Sequence, residues 1–298
     1  MKRLFAAVIA IALIVGAAIA RSVLDDDGAS SAPVGSGGDA VRVVCADLLR
    51  VACAGLEGDV EVTYEDAAVT ADRLATATDP ELDAWVAPMP WPAMVDDTRA
   101  RAGANPLFSE QPRPLARTRL AVVGPDDLEG CGWRCLGDRA AGELKLGSRP
   151  LATSGIGVLT LAAAVTGWFD GPTFATNDFD PDFERWLGGW SRRLEVSPDP
   201  LTRLLQARAF LDAAVELEAT AEATLAAASP DRIAGLTLLY PAPVATVEAV
   251  LVSTGAGTDD LADRLASALE AAGWRAPDGQ SLELPSPGVI VALRSKVR

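Results

Sequence analysis

The residue types that most often carry catalysis are scarce in this chain, so a catalytic role is disfavoured before any motif is weighed. Histidine is absent, which removes Ser-His-Asp and Cys-His nucleophiles, histidine acid–base chemistry and the common zinc ligand sets. Lysine stands only at Lys2, Lys145 and Lys296, so a Ser-Lys pair has few ways to form, and no converging carboxylate pair is visible. No catalytic residue, resident cofactor or bound metal is expected.

Thr153-Ser154-Gly155-Ile156-Gly157 opens an apolar helical run. A hydroxyl cap followed by glycines leaves the first backbone N–H groups open to an oxyanion or carboxylate, and it serves equally as a plain N-cap with glycines for close packing. Glycine is on the wrong side of Ser154 for a nucleophile elbow. Ala46 and Asp47 follow the first apolar run, where Asp47 is either a contact or a helix-start residue. Trp85 and Trp91 flank Val-Ala-Pro-Met-Pro and suit either stacking on a ligand or core packing. Glu216 and Glu218 close the run 209–219, as contacts for a cation or as one exposed face of an alternating strand. Tyr240 directly precedes Pro241. Trp186 and Trp190, four apart on a helix, read as core.

The cysteines form two close pairs, Cys45 with Cys53 and Cys131 with Cys135. Four cysteines allow three connectivities, and the local one is expected in an oxidising compartment. The first bridge requires Cys45 to sit at a strand end, because two positions so far apart in one helix cannot bond. Gly132 is expected to help the shorter loop close. A site of four thiolates is the alternative, without the C-x-x-C spacing of a zinc knuckle.

These residues must be exported to be oxidised, and the N-terminus supplies the means. Residues Leu4 to Ala20 are an unbroken apolar run behind Lys2 and Arg3. The run exceeds the roughly 7–15 residues of a cleaved signal, which favours an uncleaved membrane helix over 1–24, with a cut after Ala20 as the alternative. No cysteine lies close behind it, so attachment through a lipidated cysteine is not expected. Residues 25–40 are Gly/Ser-rich with three aspartates and read as a flexible tether. With Lys+Arg 26 against Asp+Glu 41, the formal charge of −15 argues against nucleic acid and anionic lipid as partners.

From Val41 onward, short apolar runs alternate with helical patterns. Strands are expected at 41–44, 60–64 and 82–86, with helices at 46–56, 66–76 and 90–101, which is the order of a parallel sheet with helices on its faces. A strand at 115–123 opens a second unit with helices at 155–168, 181–194 and 200–209 and a strand at 211–217. Strands at 236–240 and 246–252, then helices at 259–272 and 288–298, close the chain.

The ordered set 41–49, 82–91, 117–125, 149–164, 209–219 and 235–252 resembles the extracellular solute-binding proteins of the type II periplasmic-binding-protein fold. The resemblance covers nearly all of the chain after residue 40. It implies an α/β fold of two lobes, each a mostly parallel sheet flanked by helices, preceded here by the membrane helix. Lobe 1 would comprise 41–116 and 242–298, and lobe 2 would comprise 117–241. The ligand would be a small molecule held between them, touching Ala46, Asp47, Trp85, Trp91, Thr153, Ser154, Gly155, Glu218 and Tyr240. A membrane transporter or another membrane complex would be the partner for uptake or sensing, and an anchored interaction module that keeps the fold is the alternative.

Overall fold

The computed structural model describes residues 40–56, 60–108, 110–254, 258–276 and 284–298, within one compact unit spanning 40–298. The expected helix over 1–24 and residues 25–39 of the tether lie outside the described residues. Among the described residues, no helix is long and apolar enough to cross a membrane.

The first half of the fold is built on β1 (Arg42–Ala46), which pairs in parallel with β2 (Glu61–Glu65) and β3 (Ala84–Pro88). A strand flanked on both sides reads as a continuous apolar run, and Val43 to Ala46 are all buried. Asp66 caps α2 (Ala67–Leu74), and α3 (Trp91–Arg101) follows β3 with Pro92 in its first turn, where proline needs no N–H partner.

The 46–56 segment is not the single helix expected from its pattern. It breaks into a 3-10 turn at Asp47–Leu49, a short α1 (Arg50–Cys53) and a second 3-10 turn at Ala54–Leu56. The Cys45–Cys53 bridge spans the first part of this segment and holds its two Cα atoms 6.4 Å apart. Cys45 is at the strand end that this bridge requires. Cys131–Cys135 is bridged as well.

The chain crosses to its second half on β4 (Arg113–Gly124), which is long enough to belong to both. Its residues up to Arg119 pair with β9 (Thr246–Ser253), and the following ones pair with β7 (Ala213–Leu217) and β8 (Thr237–Leu239). Strands β5 (Leu146–Ser148) and β6 (Glu195–Val196) extend that side, giving the order β2-β1-β3-β9-β4-β7-β5-β6, with β8 on β4. The sheet is parallel at its two ends, as expected, but antiparallel through the centre, because the crossing strands β4 and β9 run against each other and against their outer neighbours.

Helices cover this sheet: α4 (Trp133–Ala141), α5 (Gly155–Trp168), α6 (Pro181–Ser191), α7 (Pro200–Gln206), α8 (Glu218–Ala227), α9 (Pro230–Ile233), α10 (Asp259–Ala271) and α11 (Pro287–Lys296). The sequence reading missed α4, α8 and the short α9, and with them the short strands β5 and β6. The buried face of α4 is Trp133, Leu136, Gly137 and Ala140, a complete helical stripe that the adjacent cysteine loop obscured. Gly132 is needed less for loop closure than for close approach. A Cβ there would stand 2.7 Å from the Ala242 carbonyl oxygen, which accepts the Trp133 N–H at 3.0 Å. Trp186 and Trp190 stack in the core as expected, 5.6 Å apart.

Candidate ligand cleft

Helix α5 is apolar all round and buried along nearly its whole length, so only its start has polar work to do. Ser154 caps it, its Oγ accepting the Gly157 N–H at 2.9 Å. The Gly155 N–H donates to Asp66 Oδ2 at 3.3 Å, while Asp66 Oδ1 accepts the Ala68 N–H at 2.8 Å. One carboxylate thus serves two helix starts, one in each half, as the partial positive charge at a helix N-terminus favours. Burial raises the Asp66 pKa above 3.8, with Asp47 adding to it, against the two backbone hydrogen bonds and Arg149. The helix start expected to receive a ligand carboxylate holds one from the chain itself.

Apolar groups close the rest of this junction. A Cβ at Gly155 would stand 2.9 Å from Leu48 Cδ2 and 3.6 Å from Ala67 Cβ, with Trp91 Nε1 at 3.9 Å. Trp91 is fully buried, its Nε1 lacks a hydrogen-bond partner, and the Arg294 guanidinium lies 4.8 Å over its ring. Arg294 Nε donates to the Ala152 carbonyl at 2.9 Å, and its terminal nitrogens meet Asp72, so α11 ties the halves together. Ala46 is buried beneath. Asp47 is exposed and pairs with Arg50 at 2.6 Å, and Thr153 is exposed.

The remaining expected contacts lie elsewhere. Trp85 is in the core of β3, its ring 6.0 Å from Phe108. Glu216 and Glu218 do not form an exposed face: the strand ends at Leu217, Glu218 starts α8, and both carboxylates are buried. Glu216 meets Arg149 at 3.3 Å, and its own burial raises its pKa against that cation. Glu218 accepts from Arg119 Nε at 2.9 Å and from its Nη2, from Tyr240 Oη at 2.8 Å and from Arg275 Nη2 at 2.7 Å. Burial alone would raise the Glu218 pKa, but these partners together hold it below 4.5. Tyr240, desolvated and donating to that carboxylate, is pushed up to about 12.

A second junction is open. Beside the crossing strands lies a cavity of about 870 Å³, walled by Met89 and Pro90 after β3, by Arg117, Thr246 and Glu248 on β4 and β9, and by 172–175 and Asp178 beyond α5. Its size is in the range of small-molecule sites. Arg117 Nε and Nη2 both donate to Glu248 Oε1, at 3.0 and 2.9 Å. None of these residues was singled out from sequence. The available signal was a pair of opposite charges, one in each crossing strand, inside segments read only for their apolar positions.

No protein-family model and no curated protein matches the sequence. Solved structures do match. A periplasmic thiamin binding protein superposes with a TM-score of 0.57 at 12% identity, over 90% of this chain and 98% of that one. The fold is that of the type II periplasmic binding proteins. Within this fold class, the apo ferric ion-binding protein A of Pasteurella haemolytica gives 0.55 at 13% identity, over 86% and 95% of the two chains. The sulfate-binding protein SubI from Mycobacterium tuberculosis H37Rv gives 0.53 at 12%, over 88% and 92%. The type II architecture accounts for the long shared β4 and the return on β9, which join the two regions of the sheet.

Proposed function

We propose that the chain is an extracytoplasmic solute-binding protein that holds a small molecule between two lobes, 41–116 with 242–298 and 117–241, and binds without catalysing. The observation that carries this reading is the cavity of about 870 Å³ walled by residues from both sides and by the two crossing strands. Ligands of the similar solved proteins, named as ferric ion, thiamin and sulfate, are chemically diverse, so the fold sets the place and not the ligand. Two disulfides fit an oxidising compartment. An N-terminal membrane helix would keep the protein beside a transporter or another membrane complex.

The helix start at Thr153-Ser154-Gly155 enters this reading as the rim where the lobes meet, with Asp47 and Trp91 beside it. A second reading, an anchored interaction or sensor module, draws on the same junction, since Leu48, Trp91 and Asp66 fill it with the chain's own groups. Mass spectrometry of small molecules released from the denatured, purified protein separates the two. A stoichiometric molecule whose return compacts the protein in X-ray scattering supports solute binding; no molecule and no compaction supports the module.

A further inference from the structure

Resting on the reading of the open cavity as the ligand site, we propose that it takes an organic cation, a protonated amine or quaternary ammonium carried on an apolar body. Among the described residues, three charged side chains line its wall: Arg117, Glu248 and Asp178. Arg117 is nearly buried, its side chain 9% exposed, and directs two nitrogens to a single oxygen of Glu248. Its charge is therefore spent inside the wall. Glu248 Oε2 has no hydrogen bond among the described residues. Asp178 adds a second carboxylate, of which Oδ2 accepts the Ala175 N–H at 2.7 Å. Among the described residues, the formal charge of the wall is one negative unit.

An anion entering this cavity would leave water for a surface whose cation is already paired and whose carboxylates outnumber it, which is unfavourable at any effective protein dielectric. A cation meets the opposite balance. The rest of the wall suits its apolar body: Met89, Pro90 and Pro172 are greasy, and Phe174 presents a ring held against Phe169 at 4.4 Å. An aromatic face attracts a cation through its quadrupole. The formal charge of −15 on the whole chain would speed the approach of a cation and slow that of an anion.

The test uses three probes of one shape: phenethylammonium, 2-phenylethanol and phenylacetate, each titrated into the purified full chain by calorimetry. The ammonium should bind at least about tenfold tighter than the alcohol, as a desolvated cation–π contact plus a carboxylate allows, and phenylacetate should bind weakest. Asp178→Asn, at an exposed position on a 3-10 turn, should reduce that preference with the fold intact. Glu248→Gln should reduce it further. Phenylacetate binding as tightly as the ammonium would overturn the ligand class while leaving the binding reading in place. An ammonium preference unchanged in both variants would overturn the site. Where no probe binds, the charge of the molecule released from the denatured protein decides: a cation supports the proposal, and a neutral or anionic molecule overturns it. No probe bound and nothing released would remove the binding reading itself.

Discussion

Asp66 Oδ2 and the Gly155 N–H meet at 3.3 Å across the two halves of the fold, so the start of α5 is capped by a carboxylate from the start of α2. The contact is a compromise between two effects of opposite sign. The helix starts attract the charge, and burial penalises it; the raised pKa shows that burial wins.

A carboxyl whose folded pKa is raised binds its proton more tightly when folded. Its contribution is fully present below the unfolded value of 3.8 and is lost as pH rises through the higher folded value. Asp66→Asn removes the buried charge but offers one acceptor oxygen to the Ala68 and Gly155 N–H groups; with burial the larger effect, at pH 7 it should still be as stable as the parent or more stable. A gain of about 1 kcal/mol would appear as a rise of roughly 2–4 °C in Tm for a chain of this size. The difference should shrink toward pH 4. Thermal unfolding followed by circular dichroism checks both, and a variant that melts lower at pH 7 would show that the helix starts outweigh burial.

Two glycines at this junction should respond differently to alanine. At Gly155 the added Cβ meets Leu48 Cδ2 at 2.9 Å, the tip of a flexible side chain that can turn aside. At Gly157 it would meet the Pro150 carbonyl oxygen at 2.0 Å, which is backbone. Gly155→Ala should cost about 1 kcal/mol and Gly157→Ala at least about 3, at and beyond the upper end of ordinary overpacking. Chemical denaturation of both variants checks the order, and equal costs would refute it.

Most of the strands and helices were legible because apolar runs and caps are local signals. Gly155–Trp168 was placed to the residue, and the disulfide pairing followed from spacing and compartment. What escaped was nonlocal. Asp66 reads as a helix boundary, and nothing nearby in sequence says that its second oxygen faces Gly155, 89 positions on. Arg117 and Glu248 are 131 positions apart and become a pair only when β4 and β9 align. Glu218 was misread because its Val215–Leu217 neighbours suggest alternation, whereas both faces of β7 are buried and its acids are satisfied by arginines from other elements.

The two disulfides should be worth similar amounts despite their different settings. The loops span separations of 8 and 4 residues, for which the loop-closure model gives about 2.6 and about 2 kcal/mol. Replacing each pair by alanines and measuring unfolding in urea checks this. The Cys45–Cys53 variant should also gain helicity at 46–56 by hydrogen exchange if the bridge is what folds that segment back; protection there no greater than in the parent would show that it is not.

Glu218 should behave oppositely to Asp66 on acidification. Its folded pKa is lowered, so its contribution is present above the unfolded value of 4.5 and is lost as pH falls through the folded one. Glu218→Gln leaves Arg119 and Arg275 without their shared partner. Because Arg275 is largely exposed and Arg119 is 31% exposed, both can rehydrate, and the loss at pH 7 should be about 2–3 kcal/mol, below the roughly 3–5 of breaking a fully buried pair. The deficit should fade as pH falls below 4.5 and through the lowered folded value. Tyr240→Phe removes one hydrogen bond to the same carboxylate and should cost about 1 kcal/mol. With its pKa raised from 10 to about 12, Tyr240 contributes fully below pH 10 and loses that contribution as pH climbs toward 12. The Tyr240→Phe deficit should therefore stay flat between neutral pH and about pH 9. Denaturant titrations of both variants across pH decide the matter: a Glu218→Gln deficit that did not narrow at all on acidification below 4.5 would mean that packing around the side chain, and not its charge, holds the crossing strands to α8 and Arg275.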